Sequence, residues 1–288
     1  MELNSVVLSG LDVFTSVSLL VIVSLGISVT VGMMGIINLA HGELMMIGAY
    51  TVLLLTQSGW PLLFAMLAAP MVAGFMGLLI ERLILRWLYG RVIDTLLATA
   101  GISLVLMQAA RLLFTAEARS VPMPLGTVVV GDGAIAGYRL LMIVIALILS
   151  AATYLLFTRT RYGLEARAAA ENPTMAAGVG INADRVNMWT FTLGSALAGM
   201  AGGILAPFTT VTPSLAGSFM SRAFMTAITG GPAILIGTAA SAGLLGTVES
   251  IVSLLTTPVI GQVALLLMAI AILRLFPKGL SGSWKRSL

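Results

Sequence analysis

Residues 37–50, INLAHGELMMIGAY, hold the chain's only histidine, His41, with Asn38 three positions before it and Glu43 two after it. An imidazole and a carboxylate this close together can relay a proton, hold a cation or bind a polar solute. Uncharged apolar sequence lies on both sides, at 13–40 and 44–80. The three groups therefore fall inside what reads as membrane-spanning helix, where burial is costly unless they are paired or face water. Gly35 precedes them and Gly42 separates His41 from Glu43, and such small residues let a helix break or another backbone approach. A break frees backbone amides and carbonyls to line a cavity, the one setting in which irregular backbone is tolerated at membrane depth. Residues 35–43 are thus expected beside a pathway through the bilayer. The competing reading is structural: His41 and Glu43 pair with each other or tie neighbouring helices. Glu249 and Gln108 are further polar groups in apolar segments and candidates for the same pathway, Glu249 serving equally well as an interhelix tether.

The elements that must carry these groups follow from composition. Of 288 residues, 59% are hydrophobic and only 9% charged, against roughly 25% charged in soluble domains. Uncharged runs at 13–40, 44–80, 140–158, 186–221, 223–248 and 250–273 each approach or exceed the ~20 apolar residues of a spanning helix. The fold class expected is all-α: a polytopic membrane bundle of eight or nine spans with broken or re-entrant segments. Residues 1–81 contain no Lys or Arg, so the basic n-region of a cleavable signal peptide is missing. Cysteine is absent, which excludes disulfides and thiolate metal sites. The net charge of +4 sits in short loops between spans, a pattern that encodes membrane orientation and argues against nucleic acid as a partner.

Three basic clusters mark the cytoplasmic side: Arg82/Arg86/Arg91, Arg159/Arg161/Arg167/Arg185 and Arg274/Lys278/Lys285/Arg286. Arg111, Arg119, Arg139 and Arg222 fall at the opposite ends of the spans. Spans are expected near 12–32, 37–57, 62–81, 93–113, 139–158, 186–208, 222–237, 238–255 and 258–275, with a turn at 58–61. The connector 115–138, rich in Gly and Pro and carrying Glu117 and Asp132, is expected outside. Nine crossings put the N terminus outside and the C terminus in the cytoplasm; if 37–57 is re-entrant, eight crossings put the N terminus inside. Gly194, Ala198 and Gly202 form a small-residue stripe suited to close helix packing, and Ala239, Gly243 and Thr247 a looser one.

The longest stretch on the basic side, 159–185, is organised. Its LEARAAAE segment has high helix propensity. Asn172 stands where an N-cap belongs and Pro173 at the first helical position. Gly180 and Asn182 suit the end of that second helix. Two short helices beneath the membrane are expected. Small, Ala-rich faces with Tyr162 as the only aromatic favour docking to a protein partner over resting among headgroups.

Other chemistries find little support. The phosphate-binding pattern Gly-x-x-x-x-Gly-Lys-Ser/Thr does not occur, so no nucleotide site is expected in this chain. One histidine without cysteine cannot build a usual zinc site, and the Gly-x-Ser-x-Gly elbow is missing. The chain is therefore read as a non-enzymatic transport component with no cofactor of its own. An ion-coupled secondary transporter would need a relay of ionisable groups, and His41, Glu43, Glu249 and Asp12 make a thin one.

Four stretches carry a resemblance over nearly the whole length: GIINLAHGELMMIGAY (35–50), DTLLATAGISLVLMQ (94–108), residues 161–203 from RYGLEARAAAENPTMAAG onward, and FPKGLSG (276–282). They are similar to the membrane permeases of bacterial ABC importers for branched-chain amino acids, with the related urea and short-amide permeases. A departure is TGGPAIL near 230, where the family usually carries Gly-Gly-x-Gly; Pro232 stiffens that turn. The resemblance implies a single transmembrane permease domain over 1–288 in the bacterial inner membrane, with 163–180 as the segment that couples to a cytoplasmic ATPase. Carried onto this sequence, the coupling residues are Gly163, Glu165, Arg167, Glu171, Asn172, Pro173, Gly178 and Gly180. It further implies ATP and Mg in that partner ATPase, a second permease subunit (a related chain or another copy), and a periplasmic solute-binding protein meeting 115–138 and 206–222. The solute favoured is a branched-chain or similar hydrophobic amino acid, suited to a pathway rich in Met, Leu and Val; urea, which would ask for more hydrogen-bonding groups, is the alternative.

Overall fold

The computed structural model describes residues 2–115, 117–130, 133–231 and 233–282. Asp132, Pro232, Lys285 and Arg286 of the sequence reading lie outside them. Eleven α-helices follow in order: α1 Glu2–Met34, α2 His41–Gln57, α3 Leu62–Leu83, α4 Val92–Phe114, α5 Gly137–Arg159, α6 Arg161–Glu171, α7 Pro173–Gly178, α8 Ala183–Leu205, α9 Leu215–Gly230, α10 Ile234–Leu255 and α11 Pro258–Leu275. An antiparallel hairpin, β1 Thr127–Val130 with β2 Gly133–Ala136, interrupts the α4–α5 connector. The described chain is thus an all-α polytopic membrane protein with one small hairpin.

Among the described residues seven helices are long and apolar enough to cross a membrane: α1, α3, α4, α5, α8, α10 and α11. Helices α2, with 17 residues, and α9, with 16, fall short of that length. Eight or nine spans are therefore not reached by length and composition alone among the described residues.

By internal contact the chain divides into two compact units. One comprises Leu25–Pro122 and Thr153–Met220. Its centre is a close seam of α2, α3 and α8 built on glycine. A Cβ on Gly48 would lie 2.0 Å from the Gly199 carbonyl oxygen, and one on Gly202 would lie 1.8 Å from that of Met45. On α3, a Cβ at Gly77 would meet Ser195 Oγ at 2.2 Å. Backbones this near one another gain dispersion and weak polar contacts that larger residues forbid. The stripe Gly194–Ala198–Gly202 is part of the seam, Gly194 lying against Thr30 and the Gly26 carbonyl.

The other unit comprises Met1–Ser24, Met123–Ala152 and Ser221–Leu288. Helices α10 and α11 form a hairpin in which Thr257 caps α11 and Pro258 occupies its first turn. Gly246 on α10 packs against Val17 of α1. Gly243 has nothing within 4 Å of a built Cβ, so the Ala239–Gly243–Thr247 stripe is not a close-packing face among the described residues; the position next along, three residues on, takes that role. Within this unit Asp12 also pairs with Arg139 at the start of α5.

The expected spans 222–237 and 238–255 are redrawn. Helix α9 begins seven residues earlier, at Leu215, so much of the expected loop 206–222 is helical. It stops at Gly230 because Gly231 turns left-handed (φ +80°) and the tail backbone passes 2.5 Å from where its Cβ would stand. Ser281 holds the turn: its Oγ donates to the Gly230 carbonyl at 2.7 Å and accepts from the Ala233 N–H at 2.9 Å.

Candidate functional site

The expected break before α2 is present, and it is wider than one residue. Helix α1 ends at Met34, Gly35 takes φ +65°, and α2 starts only at His41, not at 37. Within the break Asn38 turns its side chain back on the chain, Oδ1 accepting from the Ala40 N–H at 3.0 Å. Thr99 on α4 supports the freed backbone: its hydroxyl accepts from the Leu39 N–H at 3.2 Å and shares its hydrogen between the Leu96 carbonyl at 3.0 Å and the Ile37 carbonyl at 3.4 Å. Satisfying backbone groups in this way is what permits a non-helical segment at membrane depth.

Asn38, His41 and Glu43 are all buried, but their side chains diverge, the His41 ring towards α1 and the Glu43 carboxyl towards α4. Gly26 leaves room for the His41 ring; a Cβ there would stand 2.6 Å from His41 Cε1. Glu43 occupies the first turn of α2, where unpaired helix N–H groups favour negative charge. Its carboxyl faces Ser103 on α4, while Oε2 has no hydrogen-bond partner among the described residues. A buried carboxyl oxygen left so costs about 1–3 kcal/mol.

The other two pathway candidates lie on other helices. Gln108 is exposed on α4. Glu249 belongs to the second unit, buried on α10, where its Oε1 accepts from Arg222 Nη1 of α9 at 3.0 Å. The tether reading of Glu249 describes its geometry. Sequence reasoning missed Thr99 and Ser103. Their signal was available: Thr95, Thr99 and Ser103 recur every four residues, which aligns them on one face of an apolar helix.

On the basic side the two expected short helices are α6 and α7. Thr160 caps α6, its Oγ1 accepting from the Gly163 N–H at 3.1 Å. Asn172 ends α6 and caps α7, Oδ1 accepting from the Met175 N–H at 3.0 Å, with Pro173 at the first position. Helix α7 finishes at Gly178, Gly180 reverses the chain at φ +87°, and Asn182 caps α8 instead of ending α7. Gly163 is buried because a Cβ there would lie 2.3 Å from the Phe157 carbonyl at the end of α5. Tyr162 docks α6 onto α8 through a 2.7 Å hydrogen bond with Thr190, and burial pushes its phenol up to about 12. The outward face carries Glu165, Arg167 and Glu171 with exposed Leu164, Met175 and Val179, the last three 62%, 73% and 79% accessible. A groove of about 330 Å³ opens beside it between Tyr162, Val179, Arg185 and Trp189.

Spanning helices, a broken segment carrying buried polar groups and an organised loop between spans define a polytopic membrane protein of the solute-permease class. The chain belongs to the branched-chain amino acid transport system / permease component family, whose profile matches residues 9–273. It is 30% identical to the high-affinity branched-chain amino acid transport system permease protein BraD of Pseudomonas aeruginosa, over 84% of this chain and 83% of that one. Identity to the LivH protein of the corresponding Escherichia coli K12 system is 29%, over 91% and 90%. Identity to a probable LivH of Methanocaldococcus jannaschii is 26%, over 98% and 94%. No solved structure matches.

Proposed function

We propose that the chain is the membrane-spanning permease subunit of a binding-protein-dependent ABC importer, forming one transport domain over its full length. It moves branched-chain or similar hydrophobic amino acids across the bacterial inner membrane with energy from a separate ATPase subunit, which binds the ATP and Mg. The carrying observation is the α6–α7 platform: capped at every helix start, docked on α8 through Tyr162, and presenting three exposed apolar side chains among Glu165, Arg167 and Glu171. Such a mixed, rigid surface suits a protein partner. The family match and the names of the relatives support the solute class. A second permease subunit and a periplasmic solute-binding protein complete the assembly.

A nine-crossing topology fits this reading, with the N terminus outside and the C terminus in the cytoplasm. Basic loops at 82–91 and 159–185 and the basic tail share the cytoplasmic side. Two of these sides are joined by α8 through α11, so that stretch must cross an even number of times and α9 must count as a crossing. Asp12 meets Arg139, which follows the outer connector, in agreement with α1 entering from outside. Helix α2 is about 26 Å long at 1.5 Å per residue, and the break at 35–40 supplies the remaining depth. Asn38, His41 and Glu43 then stand beside the solute path, Thr99 and Ser103 supporting them, and ATP-driven movement of 163–180 rocks the spans between outward and inward access.

The test is co-purification in mild detergent with the ATPase and permease subunits encoded beside it, wild type against Glu165→Ala/Arg167→Ala/Glu171→Ala. An ATPase retained by wild type and lost from the variant supports the reading, and ATPase stimulation by leucine but not by urea supports the solute. A chain that purifies folded and alone overturns it.

A further inference from the structure

A second polar feature lies away from the broken segment. Between α2, α3 and α4 runs a groove of about 270 Å³, walled by Ile47, Leu54, Val72, Met76, Leu106 and Leu113. Its lining is almost wholly apolar, with Tyr50 as the exception that matters. Tyr50 is 3% exposed, its ring stacks on Phe114 at 4.3 Å, and its hydroxyl has no hydrogen-bond partner among the described residues. A buried phenol normally finds one. Arg119 lies close enough for its charge to act at that hydroxyl. It is held there by a backbone bridge to Val211, with N···O distances of 3.1 and 2.8 Å.

We propose that this groove is a phospholipid site of the outer leaflet, with one acyl chain along α4, the Tyr50 hydroxyl donating to the glycerol-ester or phosphate oxygens, and Arg119 neutralising the phosphate. Three observations select this occupant. The groove opens onto an apolar face, where its lining residues Leu113 and Val72 are 75% and 43% exposed, the surface that meets acyl chains in a bilayer. It runs towards Phe114, at the end of α4 farthest from the basic 82–91 loop, so its polar end lies at headgroup level. The order of its groups, apolar channel, then a hydroxyl donor, then a cation, matches the order of chain, ester and phosphate in a phospholipid. A free solute amino acid would place its carboxylate and ammonium together, and no acidic side chain lines this groove.

The complex with its partner subunits is incorporated in nanodiscs of mixed phosphatidylglycerol and phosphatidylethanolamine, extracted in mild detergent, and its retained lipid counted by native mass spectrometry. Wild type is expected to keep a phospholipid, phosphatidylglycerol preferentially. Arg119→Gln lowers phosphatidylglycerol retention about fivefold, the worth of one interfacial cation. Tyr50→Phe keeps the ring stack and lowers retention of both lipids. Ala110→Trp, which fills the groove, abolishes retention, while Val105→Trp on an exposed face of α4 leaves it unchanged. Equal retention in wild type, Arg119→Gln and Tyr50→Phe overturns the proposal whether or not Ala110→Trp folds. So does a photo-crosslinker at Leu113 that captures a second permease chain instead of lipid.

Discussion

Replacing Gly202 by Ala adds one methyl group to the α2–α8 seam, and the structure fixes what it meets. The new Cβ would stand 1.8 Å from the Met45 carbonyl oxygen, whereas ordinary contact begins at 3.4 Å, so the two helices must part by about 1.6 Å. Backbone cannot rotate away as a side chain can. Gly48 on Gly199, at 2.0 Å, and Gly199 on Ala73, at 2.3 Å, lock the same seam from either side. Overpacking costs about 1–3 kcal/mol, and a backbone-on-backbone clash belongs at the upper end, about 3 kcal/mol. Gly101, exposed on α4 with nothing within 4 Å, is the control: Gly101→Ala removes backbone freedom and stabilises the helix by about 0.5–1 kcal/mol. Thermal unfolding of the purified protein in detergent, followed by fluorescence-detected size exclusion, separates the two. At ~2–4 °C per kcal/mol, Gly202→Ala melts on the order of 10 °C lower and Gly101→Ala a few degrees higher. Shifts of the same sign, or a Gly202→Ala midpoint within a degree or so of wild type, would refute the seam as the source of stability.

Two further outcomes follow from pairs described above. Arg222 and Glu249 form an ion pair with side chains only 16% and 10% exposed; Glu249→Leu leaves a buried guanidinium and costs about 3–5 kcal/mol, while Arg222→Met/Glu249→Leu recovers most of it, as a double-mutant cycle of melting midpoints measures. Tyr162 ties α6 to α8 in its neutral form. Because burial raises its folded pKa from an ordinary value near 10 to about 12, the docked state binds the proton more tightly than the undocked one. Docking is therefore fully stable below about pH 10 and is lost as pH rises towards 12. Amide exchange at 161–171 across that range reports it, and Tyr162→Phe removes the pH dependence.

Much of this was legible in the residues. Uncharged runs located the spanning helices, because a bilayer leaves few alternatives to helix. The polar cluster with Gly35 announced the break, and Asn172-Pro173 announced the α6–α7 corner. Boundaries were not legible where the stop is set from afar: α9 ends at a left-handed Gly231 gripped by Ser281, fifty residues away. Pairings across the sequence were hidden for the same reason. One clue was there to use. Asp12 and Glu249 are lone acids in apolar segments and need cations, and two of the four arginines remote from the basic clusters, Arg139 and Arg222, are the ones that answer. Of the candidate site, the identities of Asn38, His41 and Glu43 could be read, but their supports on α4 required the fold.

Asn172 closes one helix and opens the next, and Thr160 and Asn182 stand guard at either end of the same stretch. Three short side chains, each bonded to an amide three residues on, leave no slack between residues 161 and 178. A push on such an elbow is delivered undiminished to its ends. In the coupling movement proposed for 163–180, compliance would be sought at 159–160 and 179–182, where Gly180 reverses the chain. Softening the corner itself, for example with Asn172→Gly, would let the two arms bend independently, and a partner could stay bound while its stroke was spent inside the joint.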